Sequence, residues 1–127
     1  MNKFPTHVAA MRTLYAYKNC DTCKKAITWL DENNIPYELK AIRETPPTLE
    51  ELTFAMKYFS GDLRRLFNSS GTDYRDMKIK EQLSCMSEED AVKLLSENGN
   101  LVKRPFLIGE GKVLTGFKAE LWNNALR

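Results

Sequence analysis

The sequence predicts one α/β domain over residues 12–127, built on a mixed four-stranded sheet with helices packed against it. Three observations point to this class. Strand, helix and strand segments follow one another within about 30 residues near the start, which is the length of a parallel βαβ unit. A purely helical block comes next, at about residues 46–100. The last third holds two strands across a tight turn, an antiparallel hairpin, followed by a helix.

The βαβ unit begins with residues 13–17, which are apolar on both faces, as is typical of a central strand. A helix runs from a Cys-Asp-Thr-Cys motif to about residue 32, and its apolar residues recur at i, i+3, i+4 and i+7. These residues are Cys23, Ala26, Ile27 and Leu30. Residues 37–42 alternate apolar and polar side chains, which predicts a strand at the sheet edge.

The helical block opens with Thr48 and Glu51, a capping-box pair that predicts a helix to about residue 59. The apolar face of this helix comprises Leu49, Leu52, Met56 and Phe59. We interpret Gly61 as the residue that terminates it. Two short helices are predicted at residues 62–68 and 79–83, and a longer one follows from residue 87 to about residue 98.

In the last third, residues 106–108 and 112–115 form the predicted hairpin around a Gly-Glu-Gly turn. The C-terminal helix starts near residue 118. The residues expected to face inward from it are Leu121, Trp122 and Ala125.

Composition excludes several function classes. The net charge is only +2, so no strong field favours nucleic acid or an acidic membrane surface as a direct partner. No apolar run approaches the ~20 residues that a membrane-spanning helix needs, and residues 1–10 lack the apolar stretch of a secretory signal. We therefore expect a cytosolic monomer. Residues 1–11 are interpreted as a flexible N-terminal extension, or else Met11 is the natural start.

Cysteine usage points to redox chemistry. Three cysteines are a poor basis for a disulfide scaffold, whereas a close pair in a reducing compartment is typical of catalysis, redox sensing or metal binding. Zinc normally takes four ligands, and only Cys85 and His7 are further candidates here, so we predict no metal site. We interpret Cys85 as an inert, small buried side chain.

Cys20 lies where a predicted strand ends and a helix opens. Unpaired backbone N–H groups and the helix dipole there favour thiolate over thiol, and Lys24 and Lys25 add positive charge while Asp21 opposes it. At pH 7 a thiol of pKa ~8.5 is about 3% ionised, and one of pKa ~6 is about 90% ionised. Cys23 is one helical turn away, as a resolving thiol should be. The alternative is that Cys23 is only a core residue and Cys20 a chance surface thiol.

Arg104 and Pro105 directly precede the third predicted strand. Proline cannot donate to a ladder, so it belongs at a strand's start. From the residues alone, Arg104 is as well explained by a solvated charge at the strand end.

The chain as a whole resembles the arsenate reductase C and Spx family, a thioredoxin-fold group with a helical insertion. The resemblance extends over about residues 12–122. It rests on Leu14-Tyr15-Ala16-Tyr17, Cys20-Asp21-Thr22-Cys23-Lys24-Lys25-Ala26, Trp29-Leu30, Pro47-Thr48 with Glu51-Leu52, Leu66-Phe67-Asn68-Ser69-Ser70-Gly71, Tyr74-Arg75, Leu101-Val102-Lys103-Arg104-Pro105, Val113 and Gly116-Phe117.

This resemblance implies a thioredoxin-like fold and a thiol oxidoreductase in which Cys20, Cys23 and Arg104 are catalytic. It implies that the Arg104–Pro105 bond is cis and faces the reactive cysteine. We take Asn68, Pro105 and Lys24 as candidate substrate-binding residues. No cofactor would be bound, and glutathione or thioredoxin would serve as reductant for a small thiol or disulfide substrate.

The resemblance to arsenate reductases is incomplete. Those enzymes use two further arginines to hold the oxyanion, at positions that fall at Asn68 and near Thr115-Gly116 here. Guanidinium groups suit a tetrahedral oxyanion because they donate two parallel hydrogen bonds and stay charged. Those reductases also use a lone cysteine, whereas this chain has Cys23, as Spx regulators do.

The Spx branch implies the alternative function. Its members bind the C-terminal domain of the RNA polymerase α subunit, and oxidation of the CxxC pair switches them. A glycine of the helical block belongs to that contact, and Gly61 lies at about the matching position, although we favour its role as a helix terminator.

Overall fold

The computed structural model describes residues 12–127, so the predicted N-terminal extension lies outside it. The chain divides into two compact units. The first joins the residues up to Ala41 to the segment Arg104–Arg127, and the second is Ile42–Lys103. Within residues 12–127, no helix is both long enough and apolar enough to cross a membrane.

The first unit is built on a four-stranded sheet. Its strands are β1 (Arg12–Ala16), β2 (Glu38–Ala41), β3 (Phe106–Gly109) and β4 (Lys112–Thr115), in the order β2-β1-β3-β4. β1 pairs in parallel with β2, while the β1–β3 and β3–β4 pairs are antiparallel. The predicted mixed sheet is therefore confirmed.

Burial explains the place of each strand in this order. Leu14, Tyr15 and Ala16 of β1 are all buried, which requires cover on both faces and suits a central strand. Three of the four β2 residues are exposed, as the predicted edge position allows. β1 therefore ends in the middle of the sheet, and the chain that leaves it enters the next helix directly.

Two helices complete the first unit, α1 (Asp21–Glu32) and α6 (Ala119–Leu126). Together with the sheet they bury one hydrophobic cluster, which consists of Leu14, Ala16, Cys23, Ala26, Leu30, Ile35, Tyr37, Leu107 and Trp122. The indole N–H of Trp122 donates to the carbonyl oxygen of Gly116 at 3.1 Å. This bond ties α6 to the end of the hairpin.

The prediction that Leu121 faces inward is wrong, since its side chain is 55% exposed. Trp122, which was also predicted to face inward, does enter the core. Leu126 lies four residues on, and therefore on the same helix face, and packs against the cluster. Because Leu121 and Trp122 are adjacent and both apolar, the sequence did not show which of the two side chains faces the core.

The second unit is helical, as predicted. It contains α2 (Leu49–Tyr58), α3 (Thr72–Asp76), α4 (Ile79–Gln82) and α5 (Glu88–Glu97), with 3₁₀ turns at Leu63–Arg65, Leu83–Cys85 and Gly99–Leu101. Its buried apolar residues include Leu52, Ala55, Met56, Leu66, Phe67, Ile79, Ala91, Val92, Leu95, Leu101 and Val102.

Both ends of α2 follow the prediction. The Thr48 hydroxyl accepts the Glu51 N–H at 3.1 Å, and the Glu51 carboxylate accepts the Thr48 N–H at 2.9 Å. At the other end Gly61 has φ +80° and its N–H donates to the Met56 carbonyl at 2.9 Å, which ends the helix. Leu49, predicted on the apolar face, is 51% exposed.

The predicted helix over residues 62–68 is wrong, because it shortens to the single 3₁₀ turn Leu63–Arg65. The Leu66 carbonyl accepts the Lys103 N–H at 2.8 Å, and the Asn68 N–H donates to the Leu101 carbonyl at 2.7 Å. These backbone groups form a short bridge between Phe67 and Val102 and are no longer available to a helix. Helix α3 was not predicted, since Ser69-Ser70-Gly71 indicated only a turn.

Candidate active site

Cys20 is the residue that caps the N-terminus of α1. Its backbone is extended, with φ −109° and ψ 116°, and its N–H donates to the Tyr17 carbonyl at 3.1 Å. Its sulfur accepts the backbone N–H of Cys23 at 3.4 Å. The Cys20 carbonyl accepts the N–H of Lys24 at 3.0 Å. The half-buried thiol therefore occupies the place where serine or aspartate usually satisfies the free N–H groups of a helix.

The surroundings of Cys20 favour its thiolate. Burial raises the pKa of the Cys20 thiol, but hydrogen bonds from the backbone N–H and thiol of Cys23, together with Arg104, outweigh it. Arg104 acts both as a hydrogen-bond donor to the sulfur and through its charge. The pKa of Cys20 therefore lies below its ordinary value.

Cys23 is the opposite kind of thiol. It is fully buried in the hydrophobic cluster, and this burial is the main cause that raises its pKa to about 12. The nearby Cys20 sulfur raises the pKa further, because two negative charges would lie side by side. Both thiols are free. Cys20 therefore ionises more readily than an ordinary cysteine, while Cys23 keeps its proton at neutral pH.

Arg104 and Pro105 lie just before β3, and the bond between them is cis, as the family resemblance implied. Pro105 is buried, and its carbonyl accepts the Gly116 N–H at 2.9 Å. The Arg104 guanidinium carbon lies 5.0 Å from the centre of the Tyr17 ring, and the side chain hydrogen-bonds the Cys20 sulfur. These contacts argue against the interpretation of Arg104 as a solvated charge.

The other predicted site residues are Lys24 in the first unit and Asn68 and Gly61 in the second. Lys24 is exposed on the first turn of α1, where it lines a depression of about 480 Å³ together with Tyr17 and Ile27. Asn68 and Gly61 belong to the second unit. The Asn68 side-chain amide lies 3.5 Å from the Asn100 carbonyl, within that unit.

Tyr17 is a site residue that the sequence reasoning missed. It was used only as the end of the first strand and as one of the residues that carry the family resemblance, yet its ring faces Arg104 and its carbonyl accepts the N–H of Cys20. The sequence places an aromatic residue three positions before the nucleophile, but this spacing does not identify Arg104 as the partner of its ring. The prediction for Cys85 also needs correction, because its thiol is exposed rather than buried.

The arrangement around Cys20 suits a thiolate that attacks an electrophilic sulfur or an oxyanion, with a second thiol one helical turn away. Residues 12–127 contain no group of three or more His, Cys, Asp or Glu side chains arranged to hold an ion.

Known proteins share this architecture. The family model described as "ArsC family" matches residues 15–125. A Bacillus subtilis protein described as "Uncharacterized protein YusI" is 41% identical over 108 residues, which are 85% of this chain and 92% of that protein. The global transcriptional regulator Spx 1 of Bacillus cereus is 26% identical over 110 residues, 87% of this chain and 82% of the regulator.

A solved structure agrees with the sequence relatives. The crystal structure of a possible arsenate reductase from Streptococcus mutans UA159 superposes with a TM-score of 0.83 at 33% identity, and the match covers 91% of this chain and 99% of that one. The family match and this fold agreement apply to nearly the whole described chain. The protein therefore belongs to the ArsC family and has its thioredoxin-like fold.

Proposed function

We propose that the protein is a thiol–disulfide oxidoreductase in which Cys20 attacks and Cys23 resolves. One observation carries the proposal: the Cys20 sulfur accepts the N–H of Cys23 at 3.4 Å, and Arg104 helps to lower the pKa of this thiol through hydrogen bonding and charge. Such donors stabilise a thiolate at neutral pH. The reducing cytosol is the compartment in which a pair of this kind is used as a catalyst or sensor rather than as a structural bridge.

The reaction balances as a two-electron exchange. The Cys20 thiolate attacks one sulfur of a small disulfide, forms a mixed disulfide and releases the other half as a thiolate. Cys23 then loses its proton and attacks the Cys20 sulfur, which releases the second half and leaves a Cys20–Cys23 disulfide. A second dithiol or two thiols, from thioredoxin or glutathione, reduce this disulfide and are themselves oxidised.

The raised pKa of Cys23 assigns the order of attack. Its thiol, with a pKa of about 12, is almost entirely protonated at neutral pH and is fully buried. The Cys23 thiol becomes a competent nucleophile only after Cys20 has formed a mixed disulfide, because the negative charge of the Cys20 thiolate is then absent. A free substrate therefore meets Cys20 first.

Arsenate is a weaker candidate substrate. The resemblance implies that two arginines that hold a tetrahedral oxyanion in arsenate reductases fall at Asn68 and near Thr115-Gly116 here. Arg104 is then the arginine that acts on the sulfur among the described residues. The relative from Streptococcus mutans is described as a possible arsenate reductase, so arsenate belongs in the same assay. We expect disulfides to be reduced much faster than arsenate.

The experiment follows the mixed disulfide by mass spectrometry. Reduced protein is mixed with a small disulfide, and turnover is measured with glutathione or thioredoxin as the reductant. Cys20→Ser should abolish turnover, while Cys23→Ser should accumulate the Cys20 mixed disulfide. Cys85→Ser, which removes the exposed thiol, is the matched control and should behave as wild type. Turnover that persists in Cys20→Ser, or no turnover with any pair, would reject the proposal.

The second candidate is a redox-switched adaptor for the C-terminal domain of the RNA polymerase α subunit. Two observations favour it: the likeness to transcriptional regulators, and a groove of about 850 Å³ between α2 and α5. A Cβ atom at Gly61 would lie 2.6 Å from a carboxylate oxygen of Glu88, which lines this groove. Gly61 therefore lies at the groove edge.

A binding assay separates the two candidates. The reduced and the oxidised protein are tested for binding to the purified α C-terminal domain, with Gly61→Arg as the disruptive variant. Gly111→Arg is the control, because that glycine also has a positive φ and has open space around it. Binding lost only in Gly61→Arg would support the adaptor. No binding in either redox state would exclude it.

A further inference from the structure

We propose that Tyr17 is a positioning residue for the thiol chemistry: the face of its ring holds the Arg104 guanidinium beside the Cys20 sulfur. This inference rests on the proposed function of Cys20 as a nucleophile. The relevant geometry is the place of the Arg104 guanidinium carbon over the Tyr17 ring, 5.0 Å from the ring centre. Arg104 also hydrogen-bonds the Cys20 sulfur, so one side chain links ring and thiolate.

The chemistry of guanidinium makes both contacts compatible. A guanidinium group is planar, and its N–H donors point outward in that plane. When its flat face lies on an aromatic ring, the donors at its edge stay available to an anion. The ring thus attracts the charge of Arg104 without competing for the hydrogen bonds that the sulfur needs.

Tyr17 is itself held in place by the backbone around the two cysteines. Its carbonyl accepts the N–H of Cys20 at 3.1 Å, and a backbone hydrogen bond connects it to the Cys23 sulfur. The Asn19 side-chain amide donates to the Tyr17 hydroxyl at 3.2 Å. A ring whose main chain is bonded next to both thiols can place Arg104 reproducibly, whereas a long arginine on its own has several rotamers.

Among residues 12–127, the charged groups near the sulfur come from few elements. The Cys23 thiol and the Arg104 guanidinium act directly on Cys20. Asp21, Lys24 and Lys25 are exposed on the first turn of α1, and Lys18 is exposed on the loop before it. Because these four side chains reach into solvent, Arg104 is the cation whose position decides how strongly the thiolate is stabilised.

The test compares pH profiles of the reaction of reduced protein with a small disulfide. Tyr17→Leu keeps an apolar side chain but removes the ring. We expect the midpoint of the thiolate profile to move upward, toward that of Arg104→Ala, and the rate at neutral pH to fall about two- to five-fold. Tyr17→Phe keeps the ring and should restore the wild-type profile. Tyr58→Leu, at an exposed tyrosine of the second unit, is the matched control.

A double variant separates positioning from general damage. If Tyr17 acts through Arg104, Tyr17→Leu should have no further effect on the midpoint once Arg104→Ala is present. Additive effects, or a Tyr17→Leu profile identical to wild type, would overturn the inference. If Tyr17→Leu does not fold, as judged by circular dichroism, Tyr17→Met takes its place. A wild-type Cys20 without a depressed midpoint would instead reject the proposed function.

Discussion

A sulfur atom takes the role of a helix cap in this protein, and its chemistry follows from that role. The N–H of Cys23 would otherwise remain without an acceptor at the start of α1, and the Cys20 sulfur accepts it at 3.4 Å. A thiolate accepts this bond better than a thiol does, so the cap itself favours ionisation. Arg104 adds a charged donor, and the burial of the sulfur opposes both effects.

Alkylation of the three thiols should reveal these differences. With limiting iodoacetamide at neutral pH, we expect Cys20 to react first, the exposed Cys85 more slowly and the buried Cys23 last. Peptide mass spectrometry after a time course measures the order. Faster modification of Cys85 than of Cys20 would contradict the assignment, as would any early modification of Cys23, whose pKa is raised to about 12.

Tyr37 provides a pH-dependent contribution to stability. Burial raises the pKa of Tyr37, and its hydroxyl donates to Asp31 at 2.9 Å. The unfolded chain ionises this phenol near pH 10, while the folded protein keeps it neutral. The stabilisation of the folded state by neutral Tyr37 is therefore complete below about pH 10, and it is lost as the pH rises from there toward the raised pKa of the folded protein.

Tyr37→Phe tests this contribution by urea unfolding at several pH values. We expect a loss of about 0.5–1.5 kcal/mol at pH 7, from the missing hydrogen bond, and a smaller fall in stability above pH 10 than in wild type. Tyr58→Phe, at an exposed site, is the control. An unchanged alkaline slope in Tyr37→Phe would show that another group dominates.

For single residues, the sequence predicted the arrangement of the two thiols but not the role of Tyr17 beside Arg104. The position of Cys20 between a strand and a helix, and the one-turn spacing to Cys23, predicted a capping sulfur and a buried neighbour. Tyr17 could not be found in this way, because its role depends on Arg104, which the chain brings close only when β3 pairs with β1.

Among the helices, the N-terminus of α2 was predicted in most detail, as a capping box of Thr48 and Glu51. Thr48→Ala removes the hydroxyl that accepts the Glu51 N–H and should cost about 1 kcal/mol of unfolding free energy. Thr53→Ala is a control within the same helix, since that hydroxyl donates to the Leu49 carbonyl on the exposed face and alanine has the better helix propensity. Chemical denaturation measures both. Equal losses in the two variants would contradict the capping assignment.

Gly99 marks a close approach of two backbone segments within the second unit. A Cβ atom there would lie 1.9 Å from the carbonyl oxygen of Ile42, so a segment of backbone would have to move. We expect Gly99→Ala to destabilise by about 1–3 kcal/mol or more.

The matched substitution is Gly111→Ala, where nothing lies within 4 Å and only the φ of +77° opposes a side chain. It should cost about 1–2 kcal/mol at most. Thermal unfolding compares the two variants with wild type. A Gly99→Ala protein as stable as Gly111→Ala would show that the contact with Ile42 relaxes easily.

Long helices whose apolar residues recur at helical spacing were predictable from the sequence, whereas short helices were not. Helices α1, α2 and α5 each have a capping side chain and an apolar face that the sequence displays. The segment after Gly61 has apolar residues at helical spacing as well, but its backbone bonds to residues 101–103 instead. Local spacing carries no information about such a distant partner.

For the whole molecule, the sequence predicted a parallel first pair of strands and an antiparallel hairpin, but not the strand order or the pairing of β1 with β3. Central and edge positions followed from burial patterns, whereas the placement of β3 between β1 and β4 depends on pairing across the entire helical block. That pairing also joins the N-terminal and C-terminal segments of the chain into the first unit, and it places Arg104 near Cys20. The candidate site is therefore a product of topology as much as of the CxxC motif.

The most direct test of the account is a titration of the Cys20 thiolate by its ultraviolet absorbance, in reduced Cys85→Ser protein. We expect one ionisation with a midpoint clearly below the ~8.5 of a free cysteine, and an upward shift of that midpoint in Arg104→Ala. A midpoint at or above that of free cysteine, or one that does not respond to the loss of Arg104, would contradict it.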